Sequence, residues 1–368
     1  MNQTRAVPDD GGGSARKRAR PSDGVDASGS SSSSTPAGES WIHTMRFGPD
    51  PIKVMSFARM RSLLPEALDA LLLDIEKAKS GAVPIISHSR RDEIRRSDQA
   101  AEDISDRQFL PVGREDQVES PPVEDVIRIM EMAGECSSLR YDEHAWNCGV
   151  NWPLLRLAIP ANGLLKIVPC TAARVSDMKL LPVGMPNGKM ADFCLAIDPY
   201  WPLGRQFSTP ASEAVENVSR LQPSHSISHT TYKPLAEHPI ALSIVTGHGG
   251  DKAEARLGLW QTAQWRMLKS LVHQSNAGDV AGPACLEELG FLPGIYIVGH
   301  DWRFAATTWD PESGRSTLLR YEDLGSTADA SGIYRIFWGL RRIQKYLTDV
   351  YWPWYQTYVL DMEEELDG

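Results

Sequence analysis

Cysteine is scarce in this chain: five in 368 residues, at 136, 148, 170, 194 and 285, with no CxxC pair and an odd count. That excludes a zinc knuckle of the usual spacing and a disulfide framework, and it fits a reducing, intracellular compartment. Long apolar runs are missing as well, none reaching the roughly eighteen residues a membrane-crossing helix needs. The polar amino terminus has no signal-like apolar stretch. The expectation is a soluble, non-secreted protein with no membrane partner. No GKS or GKT follows a glycine-rich stretch, no GxGxxG is complete and no GxSxG elbow occurs. Nucleotide-loop and serine-hydrolase chemistry therefore lack their signatures.

An excess of positive charge is also lacking. Against 48 acidic residues stand 38 Lys and Arg, a formal charge of −10. The first forty residues hold five basic and five acidic side chains, so the whole imbalance belongs to residues 41–368. An acidic body repels a phosphate backbone at long range, which disfavours nucleic acid as a partner unless a local basic groove supplies the contact.

The chain has enough apolar residues for a sizeable core, at 42% of its composition. Residues 1–40 are rich in Gly, Ser, Pro and Asp, with Ser30 to Ser34 unbroken, and predict a disordered tail. Inside it Arg16-Lys17-Arg18-Ala19-Arg20-Pro21 fits a nuclear-import signal, with a solvated charge cluster as the alternative. Residues 41–120 read as a helical lead-in and a charged linker. Pro65 opens a helix with Leu68, Leu71, Leu72 and Ile75 on one stripe, and from His88 to Glu119 the pattern is charged and poorly periodic, a solvated linker in which Arg90, Arg91, Arg95 and Arg96 are candidate phosphate contacts.

Residues 121–360 carry the main domain. Pro122 opens a helix, and Tyr141 to Leu157 continues helically around Trp146, Val150 and Leu154 until Pro153 kinks or divides it. Leu165–Val175, Asp192–Ile197 and Ile240–Thr246 predict strands, with a polar loop between Ser208 and Ser228. Ala253–Val272 predicts a helix with Leu257, Trp260 and Leu271 inward, then Ile295–Val298 and Arg303–Thr308 a strand pair, then a last helix from Ile333 to Tyr351. Residues 361–368, with Glu363, Glu364, Glu365 and Asp367, form an acidic, solubilising tail.

Two apolar runs with polar ends organise the rest: Asn187-Gly188-Lys189-Met190-Ala191-Asp192-Phe193-Cys194-Leu195-Ala196-Ile197, and, about fifty residues on, His238-Pro239-Ile240-Ala241-Leu242-Ser243-Ile244-Val245-Thr246-Gly247-His248-Gly249-Gly250. With them go Glu143-His144-Ala145-Trp146-Asn147 with Val150 and Pro153-Leu154-Leu155, Leu257-Gly258-Leu259-Trp260-Gln261-Thr262-Ala263, and Phe291-Leu292-Pro293-Gly294 leading to Gly299-His300-Asp301-Trp302. Gly325-Ser326-Thr327, Gly332-Ile333-Tyr334 and Tyr351-Trp352-Pro353-Trp354 complete the set. In order and spacing the chain resembles the fungal PD-(D/E)XK nuclease-like family over about residues 41 to 360. The resemblance implies an α/β, restriction-endonuclease-like fold: a mixed central sheet flanked by helices.

In such a site an Asp and a Glu from neighbouring strands supply oxygen to a hard cation such as Mg²⁺, and a Lys two residues after the Glu orients the attacking water. Here Asp192 holds the first position, but Val245 stands where the family puts Glu and Gly247 where it puts Lys; Arg256 replaces a Gln and Asn151 a His. Valine binds no metal and glycine donates nothing to a phosphate. The resemblance therefore implies a pseudonuclease without efficient phosphodiester hydrolysis, acting as a binding or accessory protein. Family members in genomic settings linked to specialised metabolism suggest an auxiliary role in such a pathway. The competing implication is an active Mg²⁺-dependent nuclease with relocated groups: Asp192, Glu143 and Lys252 as catalytic side chains, and Asp192, Glu143 and Asp251, with His248, as metal ligands. Replacement carboxylates and a lysine converging on Asp192 from other segments would overturn the inactive reading. A third implication is a different enzyme reusing the cleft.

Other constellations carry blander expectations. His225 and His229 would converge on zinc only in a helix, which Pro223 and the Ser and Thr around them oppose. Gly247-His248-Gly249-Gly250 reads as a turn, His300-Asp301 as a pair hydrogen-bonded in a strand turn, and Tyr351, Trp352, Trp354 and Tyr355 as core, not a base-stacking platform.

Overall fold

The computed structural model describes residues 40–113, 120–247, 249–275 and 278–362. The basic cluster at 16–20, the acidic tail from Glu363 and His248 lie outside them. Seven strands make one sheet: β1 (Lys53–Ser56), β2 (Leu165–Pro169), β3 (Phe193–Ile197), β4 (Ile240–Thr246), β5 (Leu292–Val298), β6 (Asp301–Asp310) and β7 (Arg315–Ser326), in the order β1-β7-β6-β5-β4-β3-β2. β4 runs parallel to β5 and β1 to β7, and the other pairs are antiparallel. The sheet is mixed, with helices on both faces.

Every residue of β4 is buried, as its unbroken apolar run requires of a strand covered on both sides. One face packs under the helices Glu66–Lys79, Val123–Ser138 and Ala330–Tyr346 around Trp302, Phe304 and Ile295. The other holds Cys194, Val245, Tyr296 and Leu318 beneath Leu257 and Trp260 of the long helix Gly250–Gln274. That helix reaches both cores, since Trp265, Leu268 and Leu271 join the first cluster. Its apolar surface therefore wraps most of the way round. Among the described residues no helix is long and apolar enough to cross a membrane.

Several sequence expectations need correcting. The strand expected over Leu165–Val175 stops at Pro169, because the chain turns just beyond it, where the Ala173 N–H bonds the Cys170 carbonyl at 2.8 Å, and Val175 makes only an isolated bridge to Thr230. The stretch read as a polar loop forms the helix Pro210–Leu221: Thr209 accepts from the Ser212 N–H at 3.0 Å, Ser212 answers in a capping box, and Pro210 takes the first turn. The segment after His88 is more than a solvated linker. Ile94, Ala100, Ile104 and Phe109 are buried in the main core at spacings too irregular for a periodicity argument. The four arginines singled out are engaged: Arg90 with Glu93, Arg91 and Arg95 with Asp106, and Arg96 with Asp92. Pro153 does not divide its helix as expected: it follows a π turn, Asn147–Asn151, through which the helical backbone runs on without a break, and Pro353 sits in the same way behind the π turn Leu347–Tyr351.

Candidate functional site

Asp192 sits one residue before β3, and the antiparallel register pairing Phe193 with Ile244 sets it level with Val245, one step on. Its backbone is fixed on both flanks: the Asp192 N–H donates to the Ile244 carbonyl at 2.9 Å, and the Asp192 carbonyl accepts from the Cys170 N–H at 2.8 Å. The side chain is 0% exposed. A carboxylate so placed needs partners for its lone pairs, and they come from four segments. Oδ2 accepts from the Thr246 N–H at 2.8 Å and from Nη2 of Arg256 at 3.0 Å. Oδ1 faces Nζ of Lys189 at 2.5 Å, with Nδ2 of Asn147 at 3.5 Å.

Both cations reach further. Lys189 also pairs with Glu143, so one ammonium bridges two carboxylates. Arg256 sends Nη1 to the Thr246 carbonyl at 3.0 Å, so its guanidinium forks across a carboxylate oxygen and a backbone oxygen. Local structure explains the convergence. Asp142 caps the short helix Glu143–Trp146 by accepting from the Ala145 N–H at 2.9 Å and thereby places Glu143. Asn187 holds the Lys189 turn by exchanging two hydrogen bonds with the Val175 backbone, at 2.8 and 3.1 Å. The π turn brings Asn151 onto Asn147 (Nδ2 to Oδ1, 2.9 Å), and Asn147 donates to Thr246 Oγ1 at 3.0 Å. Glu143, Asp192, Lys189 and Arg256 sum to no formal charge.

As it stands this donor set does not fit a divalent cation. A hard cation needs several open oxygens, whereas both oxygens of Asp192 and the Thr246 carbonyl are engaged, and an ammonium stands between the two carboxylates. Among the described residues no group of three His, Cys, Asp or Glu is placed to hold a metal ion.

Of the residues singled out from sequence, Glu143 is brought to Asp192 through Lys189. Asp251 and Lys252 are exposed on the first turn of the long helix and are not among the ion-pair partners of Asp192. They line an open cavity of about 1070 Å³ together with Trp41, Arg46, Glu143 and Arg256. Sequence reasoning misses Lys189 and Asn147 as site residues. The only signal for Lys189 is its place three residues before Asp192, in a turn opened by Asn187-Gly188.

The remaining constellations fall to the fold. His225 has φ +50° and no helix joins it to His229. His229 is 0% exposed, edge-on to Trp260 with ring centroids 4.1 Å apart, and neither ring nitrogen has a partner. Burial pushes its pKa down to about 3. His300 meets Thr327 Oγ1 at 3.1 Å, and Asp301 pairs with Arg303. Tyr351, Trp352, Trp354 and Tyr355 are buried, with Tyr351 donating to the Ile240 carbonyl at 2.7 Å and Trp354 to that of Cys285 at 2.7 Å.

Residues 87–352 match the family model described as the PD-(D/E)XK nuclease superfamily. No curated protein and no solved structure matches the chain.

Proposed function

The chain belongs to the PD-(D/E)XK nuclease superfamily, and we propose that within it this protein is a binding or accessory member without efficient metal-dependent phosphodiester hydrolysis. Nucleases of the superfamily usually use divalent metals such as Mg²⁺. The observation that carries the reading is Asp192 itself: fully buried, held between Lys189 and Arg256, with no oxygen left open. Val245, in the position the family gives to Glu, is buried in the apolar layer with Tyr296 and Cys194, and Gly247, in the position of the Lys, brings no amine. Adding a divalent ion to four side chains that already balance would leave two uncompensated charges in a poorly solvated pocket, where repulsion is far stronger than in water. A partner would dock in the cavity beside this network, against Trp41, Arg46 and Lys252.

A second reading has its own observation. Glu143 and Lys189 do converge on Asp192 from other segments, and two carboxylates with one lysine are the groups a relocated hydrolytic centre would use. It requires Arg256 to leave and Lys189 to yield its place to the metal. Purified protein incubated with single- and double-stranded DNA and Mg²⁺ or Mn²⁺ decides between the two. Both substrates should stay intact; cleavage abolished by Asp192→Ala and by Glu143→Gln would establish the relocated centre instead. The basic cluster Arg16–Arg20 is carried forward as a nuclear-import signal. A tagged chain should lose nuclear accumulation when Lys17 and Arg18 become Ala; unchanged accumulation would refute it.

A further inference from the structure

We propose that the outer edge of β2 is a docking groove for an extended acidic segment of another protein, which adds to the sheet as one further strand. This role holds whether or not Asp192 supports hydrolysis. β2 ends the strand order, so among the described strands only β3 pairs with it. The flanking bonds show which backbone groups stay open. The Leu164 carbonyl accepts from the Asp198 N–H, and the Cys170 N–H donates to the Asp192 carbonyl, both at 2.8 Å. The register runs between them without a shift, so residues 164, 166, 168 and 170 turn toward β3, while Leu165, Ile167 and Pro169 turn away from it. Ile197, opposite Leu165, agrees: its N–H goes to the Pro239 carbonyl at 2.8 Å. Pro169 offers no N–H, and its carbonyl accepts from the Tyr232 hydroxyl at 3.2 Å. The ladder open to an incoming strand is therefore that of Leu165 and Ile167.

An open groove of about 380 Å³ is lined by Leu165, Lys166, Ile167 and Val168. Consecutive residues of a strand point to opposite faces, so a groove that touches all four straddles the edge. Its walls differ. Leu165 and Ile167 face the main core, and Ile159 and Ala161, which follow or end beyond the helix Trp152–Ala158, stand in the same wall. Lys166 turns to the other face, where Asp198 links it to His238, and His238 Nε2 lies 3.4 Å from Nη2 of Arg205. One wall is apolar and the other basic.

Charge selects the occupant. Arg156, Lys166 and Arg205 line the groove, and among the described residues no carboxylate does. Asp198 and Glu237, which pair with Lys166 at 2.6 Å and with Arg205 at 3.7 Å, lie outside the lining. Three cations against these two acids leave the place positive in a chain of formal charge −10. Two copies of the edge would bring like charges face to face, which disfavours self-pairing. Lys166 and Pro169 are residue types that guard an edge against chance addition, and here the guard rejects basic or neutral strands while leaving acidic ones a counter-charge. An added strand turns alternate side chains to the two walls: carboxylates toward Lys166 and Arg205, small apolar side chains toward Ile159 and Ala161.

Fluorescence anisotropy of a labelled Glu-Val-Glu-Val-Glu-Val peptide tests this on the full chain. Binding should saturate, and both the Lys-Val-Lys-Val-Lys-Val peptide and the acidic peptide N-methylated along its backbone should bind at least about tenfold more weakly. Arg205→Glu should weaken the acidic peptide by at least about fivefold. Ile167→Pro, which removes an outward N–H and no bond to β3, should weaken it by a similar factor of about five. Absence of saturable binding overturns the inference, and so does equal binding of the basic or the N-methylated peptide. Should Ile167→Pro fail to fold, the N-methylated peptide decides the backbone contribution by itself. Sedimentation supplies the last arm: a wild-type dimer that Arg205→Glu or Ile167→Pro dissolves would make the occupant a second copy and overturn the assignment to an acidic partner. Cleavage of DNA by the wild type would sink the functional reading above and leave this one standing.

Discussion

Arg256 and Trp260 lie one turn apart on the same helix, and each meets a fully buried polar side chain, with opposite outcomes. Asp192, against Arg256, has every oxygen engaged by cations, an amide or a side-chain nitrogen. His229, against Trp260, has no hydrogen-bond partner on either ring nitrogen. The first place balances a charge and the second removes one, since burial strips the imidazolium of its proton down to about pH 3. A neutral ring can stay in an apolar layer at modest cost, whereas a carboxylate there needs its partners. Only the balanced place keeps groups for which an ion or a ligand can compete, which is why function is sought at Asp192 and not at His229.

The largest test removes the acid. Asp192→Ala leaves Lys189 and Arg256 facing an empty position, and losing one partner of a buried pair costs about 3–5 kcal/mol; equilibrium unfolding in urea should show it. A cost below about 1 kcal/mol would mean that both cations swing into the adjoining cavity, and the contrast with His229 would break down.

An acid titration probes the other place. The His229 imidazole takes its proton near pH 6.5 when unfolded but only near 3 when folded, and His238, lowered to about 4 by burial, has the same sign. Between those values the unfolded chain binds more protons, so stability falls as pH falls, by at most about 1.4 kcal/mol per pH unit for each histidine. His229→Phe keeps a ring against Trp260 and should flatten the slope between about pH 6.5 and 4, leaving the share of His238. An unchanged slope would show that His229 is solvated in the folded protein. The smallest effect belongs to Thr246→Val. Asn147 loses its 3.0 Å bond to Thr246 Oγ1, at a cost of about 1 kcal/mol, while the Thr246 N–H still holds Asp192; a loss above about 3 kcal/mol would mean that the asparagine pair props up the whole network.

Much of the fold is legible in the residue pattern where period and punctuation speak directly. Ile240–Thr246 is a strand with the expected ends, Pro65 precedes a helix that buries Leu68, Leu71, Leu72 and Ile75, and Gly299-His300 turns between β5 and β6. Asp192 and Glu143 stand out in the sequence because each lies in a motif. Lys189 does not, since its contact with Glu143 spans 46 positions and depends on the Asn187 clamp, which no local pattern announces. Arg256 is visible as a replacement for Gln, yet its fork onto Asp192 and Thr246 needs the helix docked against the ends of β3 and β4. The helix Pro210–Leu221 escapes notice because polar residues dominate its exposed side, although Thr209-Pro210 carries a start signal.

The central claim is that the metal position at Asp192 is already filled by side-chain cations. Crystals of the wild-type protein soaked in Mn²⁺, with anomalous differences recorded, test it most directly. The account predicts no manganese peak within about 2.5 Å of an Asp192 oxygen, with Lys189 and Arg256 still in place. A peak there, with Arg256 displaced and Glu143 turned toward the ion, would contradict it.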